Sequence, residues 1–146
     1  MAIQVPDIER LAGDLRAKRD ALARLDEPVG RTLDALRSLV QDAFDTEGAA
    51  IGASWPPLAP STLRAKLRRG LPLEPLAGTG LLRDGWVIDQ DGTGGTLASL
   101  APYAWVHQEG AGHVPQRRFL PDPDQSSAVL RAVFLDHIQA ALGVEA

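Results

Sequence analysis

The stretch from Gly48 to Gly80 limits the fold of this chain more than any other part of its sequence. It is rich in proline and glycine and opens with W-P-P-L-A-P, from Trp55 to Pro60. Proline has no backbone N–H and fixes φ, so this run can form neither a central strand nor the interior of a helix. Regular elements must therefore lie before and after it, joined by an ordered but irregular arm over residues 48–80. Within the arm, S-T-L-R-A-K-L-R-R-G predicts one short helix, with Ser61 as its cap, Leu63 and Leu67 on one face and Gly70 as its stop. That helix carries Arg64, Lys66, Arg68 and Arg69 and no acid.

Before the arm, Ile8, Leu11, Ala12, Leu15, Leu22 and Leu25 recur at helical spacing between Asp7 and Leu25. Asp26-Glu27-Pro28 interrupts that pattern, because a residue preceding proline avoids helical geometry. A second helix is expected from Val29 to Thr46, with Leu33, Leu36, Val40, Ala43 and Phe44 as its stripe and Gly48 as its stop.

After the arm the period shortens. Trp86 and Ile88 alternate with Val87, and the turn D-G-T-G-G leads into T-L-A-S-L, which together predict a β-hairpin. Tyr103 to Gly110 reads as a short helix ended by glycine, and Arg117 to Leu120 as a further strand. Asp122 followed by Pro123 is a helix start, and Leu130, Val133, Phe134, Ile138 and Ala141 form the stripe of a closing helix with His137 at the edge of the core. The order predicts an α+β fold: a small antiparallel sheet (hairpin plus further strand), two N-terminal helices, a short middle helix and a C-terminal helix.

A chain of 146 residues holds one domain, so residues 1–146 are read as a single unit. With 45% hydrophobic and 23% charged residues it has the composition of a globular protein, and the 5% aromatic share predicts an aliphatic core. Its 15 Lys+Arg against 19 Asp+Glu give a net charge of −4, which offers no general attraction to nucleic acid or anionic lipid. The absence of cysteine excludes disulfides, thiolate metal sites and a thiol nucleophile. The sequence M-A-I-Q-V-P-D-I-E-R has no secretory pattern and no apolar run suits a bilayer, so a protein made in the cytosol and without membrane contact is expected.

The span from Ala101 to Leu120 gathers two histidines, a glutamate, two arginines and several aromatics. His107, Glu109 and His113 are closely spaced N/O donors, yet on a helix residues two apart point in nearly opposite directions, so the spacing disfavours a metal. A hydrolase would use His107 or His113 as base, a serine nucleophile and an acid such as Glu109, but no G-x-S-x-G elbow or other motif sets a serine beside a histidine. D-G-T-G-G lacks the lysine of a phosphate loop and is a hairpin turn. The basic helix 61–70 remains the main charge feature and supports an alternative reading as a DNA-binding module. No cofactor and no catalytic residue is expected.

Four segments in order, W-P-P-L-A-P-S-T-L-R-A-K, L-A-G-T-G-L-L-R-D, P-Y-A-W-V-H-Q-E-G and V-P-Q-R-R-F-L-P, resemble the successive motifs of the phage virion morphogenesis (tail completion) family of Mu-like tailed phages. The resemblance runs from Trp55 to the closing helix. Two positions depart from the usual family pattern: Arg118 stands where proline usually separates arginine from phenylalanine, and the glycine pair is split as Gly110-Ala111-Gly112.

The resemblance implies a non-enzymatic structural protein of the virion neck that completes or terminates the tail and enables head-tail joining. It further implies a homo-oligomeric ring, hexameric by tail symmetry, with neighbouring neck, connector or tail-tube proteins as partners and DNA passing through without specific binding. Trp55, Arg64, Arg68, Tyr103, Trp105, His107, Gln108, Arg117 and Phe119 are the expected subunit or partner interface, since aromatic residues and arginine favour interfaces. Within that set, Tyr103 and Ala104 are expected to pack the short helix on the sheet. His107 and Gln108 are expected to hydrogen-bond the loop leading to Arg117 and Phe119.

Overall fold

The structure, a computed structural model, describes residues 8–144; the start expected for the first helix, Asp7, lies outside them. Two long helices open the chain, α1 (Ile8–Ala23) and α2 (Asp26–Asp45). The arm contains a 3₁₀ turn (Ala49–Ile51) and α3 (Pro60–Arg68). A single turn of helix, α4 (Leu81–Asp84), leads into β1 (Trp86–Gln90) and β2 (Gly95–Ser99), followed by α5 (Ala104–Glu109) and α6 (Pro123–Leu142). The fold is α+β, with the helices surrounding one antiparallel hairpin.

The break between α1 and α2 falls at Arg24-Leu25, so α2 begins ahead of Pro28 rather than after it. Proline is tolerated in a first turn because its missing N–H would be unpaired there anyway. Pro28 is buried, and its carbonyl accepts the Thr32 hydroxyl at 2.8 Å. At the other end Gly48 adopts φ +89° and donates to Ala43 O at 2.7 Å. A Cβ at Gly48 would lie 1.6 Å from Ala53 O and 2.6 Å from the Trp55 ring, so glycine here both ends α2 and lets Trp55 close over it.

The hairpin pairs Trp86 with Ser99 and Gln90 with Gly95. Asp91 shapes its turn by accepting from the amides of Thr93 and Gly94, which hold its carboxyl below the usual carboxylate range. No third strand joins it among the described residues: Arg117–Leu120, expected as a strand, is extended chain whose amides bond to α5 rather than to a sheet edge. Ser61 does not cap α3 either; the helix starts at Pro60 after Ala59, with no side-chain cap.

Asp122 and Gln125 form a reciprocal capping box at 2.8 and 2.9 Å, and Pro123 occupies the first turn of α6. The buried face of α6 centres on His137, whose Nδ1 lies 3.6 Å from Glu27 Oε2, while Leu130 and Ile138 of the expected stripe remain exposed. α6 packs chiefly along α2. An Arg31–Asp136 pair at 2.6 Å ties the exposed sides of the two helices together.

The core is more aromatic than composition suggests. Trp55, Trp86 and Phe119 are buried with Val40, Ala43, Ile51, Leu82 and Ala101, and Phe44 packs against them. Phe44 lies 5.3 Å from Trp55 and 5.5 Å from Phe119, and Trp86 lies 6.0 Å from Phe119. Edge-on and tilted ring pairs of this kind add about 0.5–1.5 kcal/mol each beyond the area they bury. The few aromatic residues of the chain are thus concentrated where α2, the arm, the hairpin and the α5–α6 connection meet.

Candidate functional site

The four sequence segments that carry the family resemblance converge on that core and on a cavity beside it. Trp55 Nε1 donates to Arg118 O at 2.7 Å. Arg117 Nε and one of its terminal nitrogens donate to Pro56 O and Pro57 O at 3.0 and 3.2 Å, and Arg118 donates to Ile51 O. W-P-P and R-R-F are therefore sewn together residue by residue. The prolines have no N–H to offer, but their carbonyls are free to accept, and arginine is the side chain with enough donors to use them.

Gln108 performs the matching task from α5. Its Oε1 accepts from both Phe119 N and Leu120 N at 3.1 Å, its carbonyl accepts from the Gln116 side chain at 3.0 Å, and the His107 carbonyl accepts from Arg117 N at 2.8 Å. These bonds are the loop contacts expected of His107 and Gln108. Between them the chain reverses through a tight turn in which Ala111 and Val114 exchange backbone hydrogen bonds, with Gly110 and Gly112 at positive φ. Any Cβ at Gly110 would press on Gln116 N at 3.1 Å, so the turn depends on glycine there.

Lys66 has a different role from the other cations of α3. Its Nζ donates to Pro72 O, Glu74 O and Ala77 O at 2.8, 2.8 and 2.6 Å, filling all three donors and folding the second half of the arm over the helix. Arg64, Arg68 and Arg69 are exposed, so the cationic patch expected over 61–70 contains three outward side chains rather than four.

The cavity measures about 650 Å³. Leu58 and Ala59 of the arm, Leu76 to Leu82, Tyr103 and His107 of the α5 region, and Val114, Pro115 and Arg117 contribute to its wall. Arg117 is only 5% exposed, and His107 Nδ1 is buried with no hydrogen-bond partner. Burial, and then the Arg117 charge, hold the His107 imidazole below its ordinary value, so it is neutral at pH 7. Burial also lowers Lys66 and Arg117, with Glu47 partly offsetting the effect on Arg117.

The expected interface residues divide into three groups. Trp55, Arg117 and Phe119 are 7, 5 and 1% exposed and serve the interior of the subunit, because each has its partners within the chain; they are not surface groups. Trp105 and Tyr103 are 61 and 41% exposed, and Arg64 and Arg68 are exposed. His107 and Gln108 are half-buried and bind the loop. Tyr103 stands edge-on to His107 at 6.2 Å at the cavity mouth, whereas Ala104 packs on the core.

His107 Nδ1 has no hydrogen-bond partner, and the hydroxyl groups in the cavity wall are those of Thr62, Thr79 and Tyr103. Among the described residues no group of three His, Asp or Glu is placed to hold a metal ion, and no helix is long and apolar enough to cross a membrane.

The family model for the phage virion morphogenesis family matches residues 3–139, nearly the whole chain. The chain belongs to that family. Membership indicates a structural or assembly role in the phage virion. No curated protein and no solved structure matches the chain significantly.

What the sequence did not reveal is the cavity. Leu58, Leu76 and Leu81 contribute to it from segments with no helical or strand period, and Lys66 resembles its neighbours in sequence. The available signal was L-A-G-T-G-L-L-R-D itself, a glycine-punctuated apolar run between two elements that had no core stripe to join.

Proposed function

We propose that this morphogenesis protein is a neck component that completes the phage tail and enables head-tail joining, assembled as a ring around the path of the DNA. The observation that carries this reading is the state of α1. Ile8, Leu11 and Leu15 form one stripe and are 61, 59 and 58% exposed, and no residue of α1 is buried. Lys18 binds the Leu142 carbonyl at the end of α6, and from Ile8 to Lys18 every residue but Ala12 is exposed. An apolar stripe of this kind needs a partner. In a ring each copy would meet a different face of the next, so that the stripe of one subunit is covered by its neighbour.

Trp105, Tyr103, Arg64 and Arg68 supply further surface for ring or neck contacts, while Trp55, Arg117 and Phe119 hold the loop that presents them. Neighbouring connector or tail-tube proteins are the other partners. The net charge of −4 suits a conduit in which DNA passes without being held. Counting copies by quantitative mass measurement of purified tails or virions tests the proposal: a fixed multiple per particle is expected, and a single copy, or none, contradicts it.

A further inference from the structure

The cavity holds a cation that makes no contacting ion pair within the subunit, although Glu47 partly offsets its burial from farther off. Arg117 is buried, and its two hydrogen bonds to Pro56 O and Pro57 O use two of the five N–H donors of a guanidinium, leaving three. None of the ion pairs among the described residues includes it. In a chain with more acids than bases, the cavity wall contains Arg117, Lys66, His107 and His113 but not one Asp or Glu. The remaining wall is dominated by Pro, Leu, Ala, Gly and Val. A desolvated cation without a contacting carboxylate is costly, and an incoming carboxylate would offset that cost while matching the planar fork. His107, whose Nδ1 is buried and without a partner, is a further polar residue of the same wall.

We propose that this cavity receives an apolar polypeptide segment bearing one Asp or Glu, donated by a different protein of the assembled particle, with the carboxylate on Arg117. This rests on the virion reading above. A nucleic-acid phosphate fits poorly, because its sugar-phosphate neighbours would be stripped of water against apolar walls. The α1 stripe of a second copy is also the poorer donor: it is flanked by Arg10, Arg16, Lys18 and Arg19 against Glu9, Asp14 and Asp20, so it brings no surplus of negative charge to a cationic site.

Two measurements test the assignment. Thr79 lies on the exposed rim, and a Thr79→p-benzoylphenylalanine chain incorporated into particles should photo-crosslink to a peptide of another virion protein that contains Asp or Glu among apolar residues. Crosslinks confined to copies of this chain or to DNA, an adduct peptide without an acid, or no crosslink in particles that contain the chain overturns the proposal. Independently, hexanoate and 1-hexanol are titrated into the purified full-length protein while the resonances of Gly78, Gly80 and Tyr103 are followed. Hexanoate should bind about tenfold or more tightly, the factor a charge-assisted pair supplies. Equal binding, or none by hexanoate, overturns the proposal without requiring a variant to fold. If the chain is absent from particles, the virion reading fails instead, and the ligand pair alone decides the cavity.

Discussion

One side-chain oxygen, Gln108 Oε1, accepts hydrogen bonds from the consecutive amides of Phe119 and Leu120, both at 3.1 Å. Consecutive amides of an extended chain normally point to opposite sides, so this shared acceptor marks a local bend at Phe119, the most buried aromatic of the core. Gln108 thereby fixes both the end of α5 and the position of the core ring. Gln108→Leu leaves two part-buried amides without an acceptor and should lower stability by about 2–4 kcal/mol. Gln108→Glu, which keeps the oxygen, should lose less, and urea unfolding of the two variants measures the difference.

A second prediction concerns Lys66, whose three carbonyl partners lie between Pro72 and Ala77. Lys66→Met retains the apolar stem but releases the strap. Limited proteolysis should then cut within residues 69–80 several times faster than in the wild type, because opening of a local segment governs cleavage there. Arg68→Met, two residues along the same helix and exposed, should leave the cutting rate unchanged.

The elements with complete local signals were legible in the sequence. Asp122-Pro123 specified a helix start, which Gln125 completes as a capping box in the structure, and D-G-T-G-G specified a hairpin turn. Arg117–Leu120 was read as a strand because its residues tolerate extended backbone, yet whether an extended segment pairs with a sheet is decided by what lies beside it. Here that is Gln108 and the Pro56 and Pro57 carbonyls, far away in sequence. The same reason explains Trp55, Arg117 and Phe119: aromatic residues and arginine suit interfaces and interiors equally, and only tertiary contacts separate the two. Membership of the family was legible because its motifs are the residues that make those contacts.

Gly48 offers a stability test of the α2 stop. With φ +89° and an added Cβ 1.6 Å from Ala53 O, Gly48→Ala should cost roughly 3 kcal/mol or more, combining backbone strain with displacement of Trp55. Gly52→Ala, also at positive φ but with open space around its Cβ, should cost only the strain, about 1 kcal/mol. Thermal unfolding of the pair separates crowding from conformation.

The pH dependence follows from His107. Its imidazole is held below the ordinary 6.5 by burial and then by Arg117, so the unfolded chain binds the proton more readily than the fold does. Stability should therefore decline as pH falls through 6.5 and level off below the folded value, with no contribution from this group above that range. His107→Phe should flatten that part of the profile. Urea midpoints taken across the range measure it; an identical acid-side slope in the variant would assign the decline to other groups.

Exposed apolar residues on α1 are predicted to matter for assembly and not for folding. Leu11→Glu and Leu15→Glu together should change subunit stability by about 0.5 kcal/mol per site or less, because neither side chain is buried. The same pair should abolish incorporation into particles and the production of infectious virus. A folded variant that still assembles would remove α1 from the ring interface.

The most direct measurement is an electron cryo-microscopy reconstruction of the particle neck at a resolution that traces side chains. The account predicts a closed ring of this chain between tail and head, with Ile8, Leu11 and Leu15 of each copy covered by the next and the DNA path at its centre. A particle in which the chain occurs once, lies away from the neck, or leaves that stripe in solvent would contradict it.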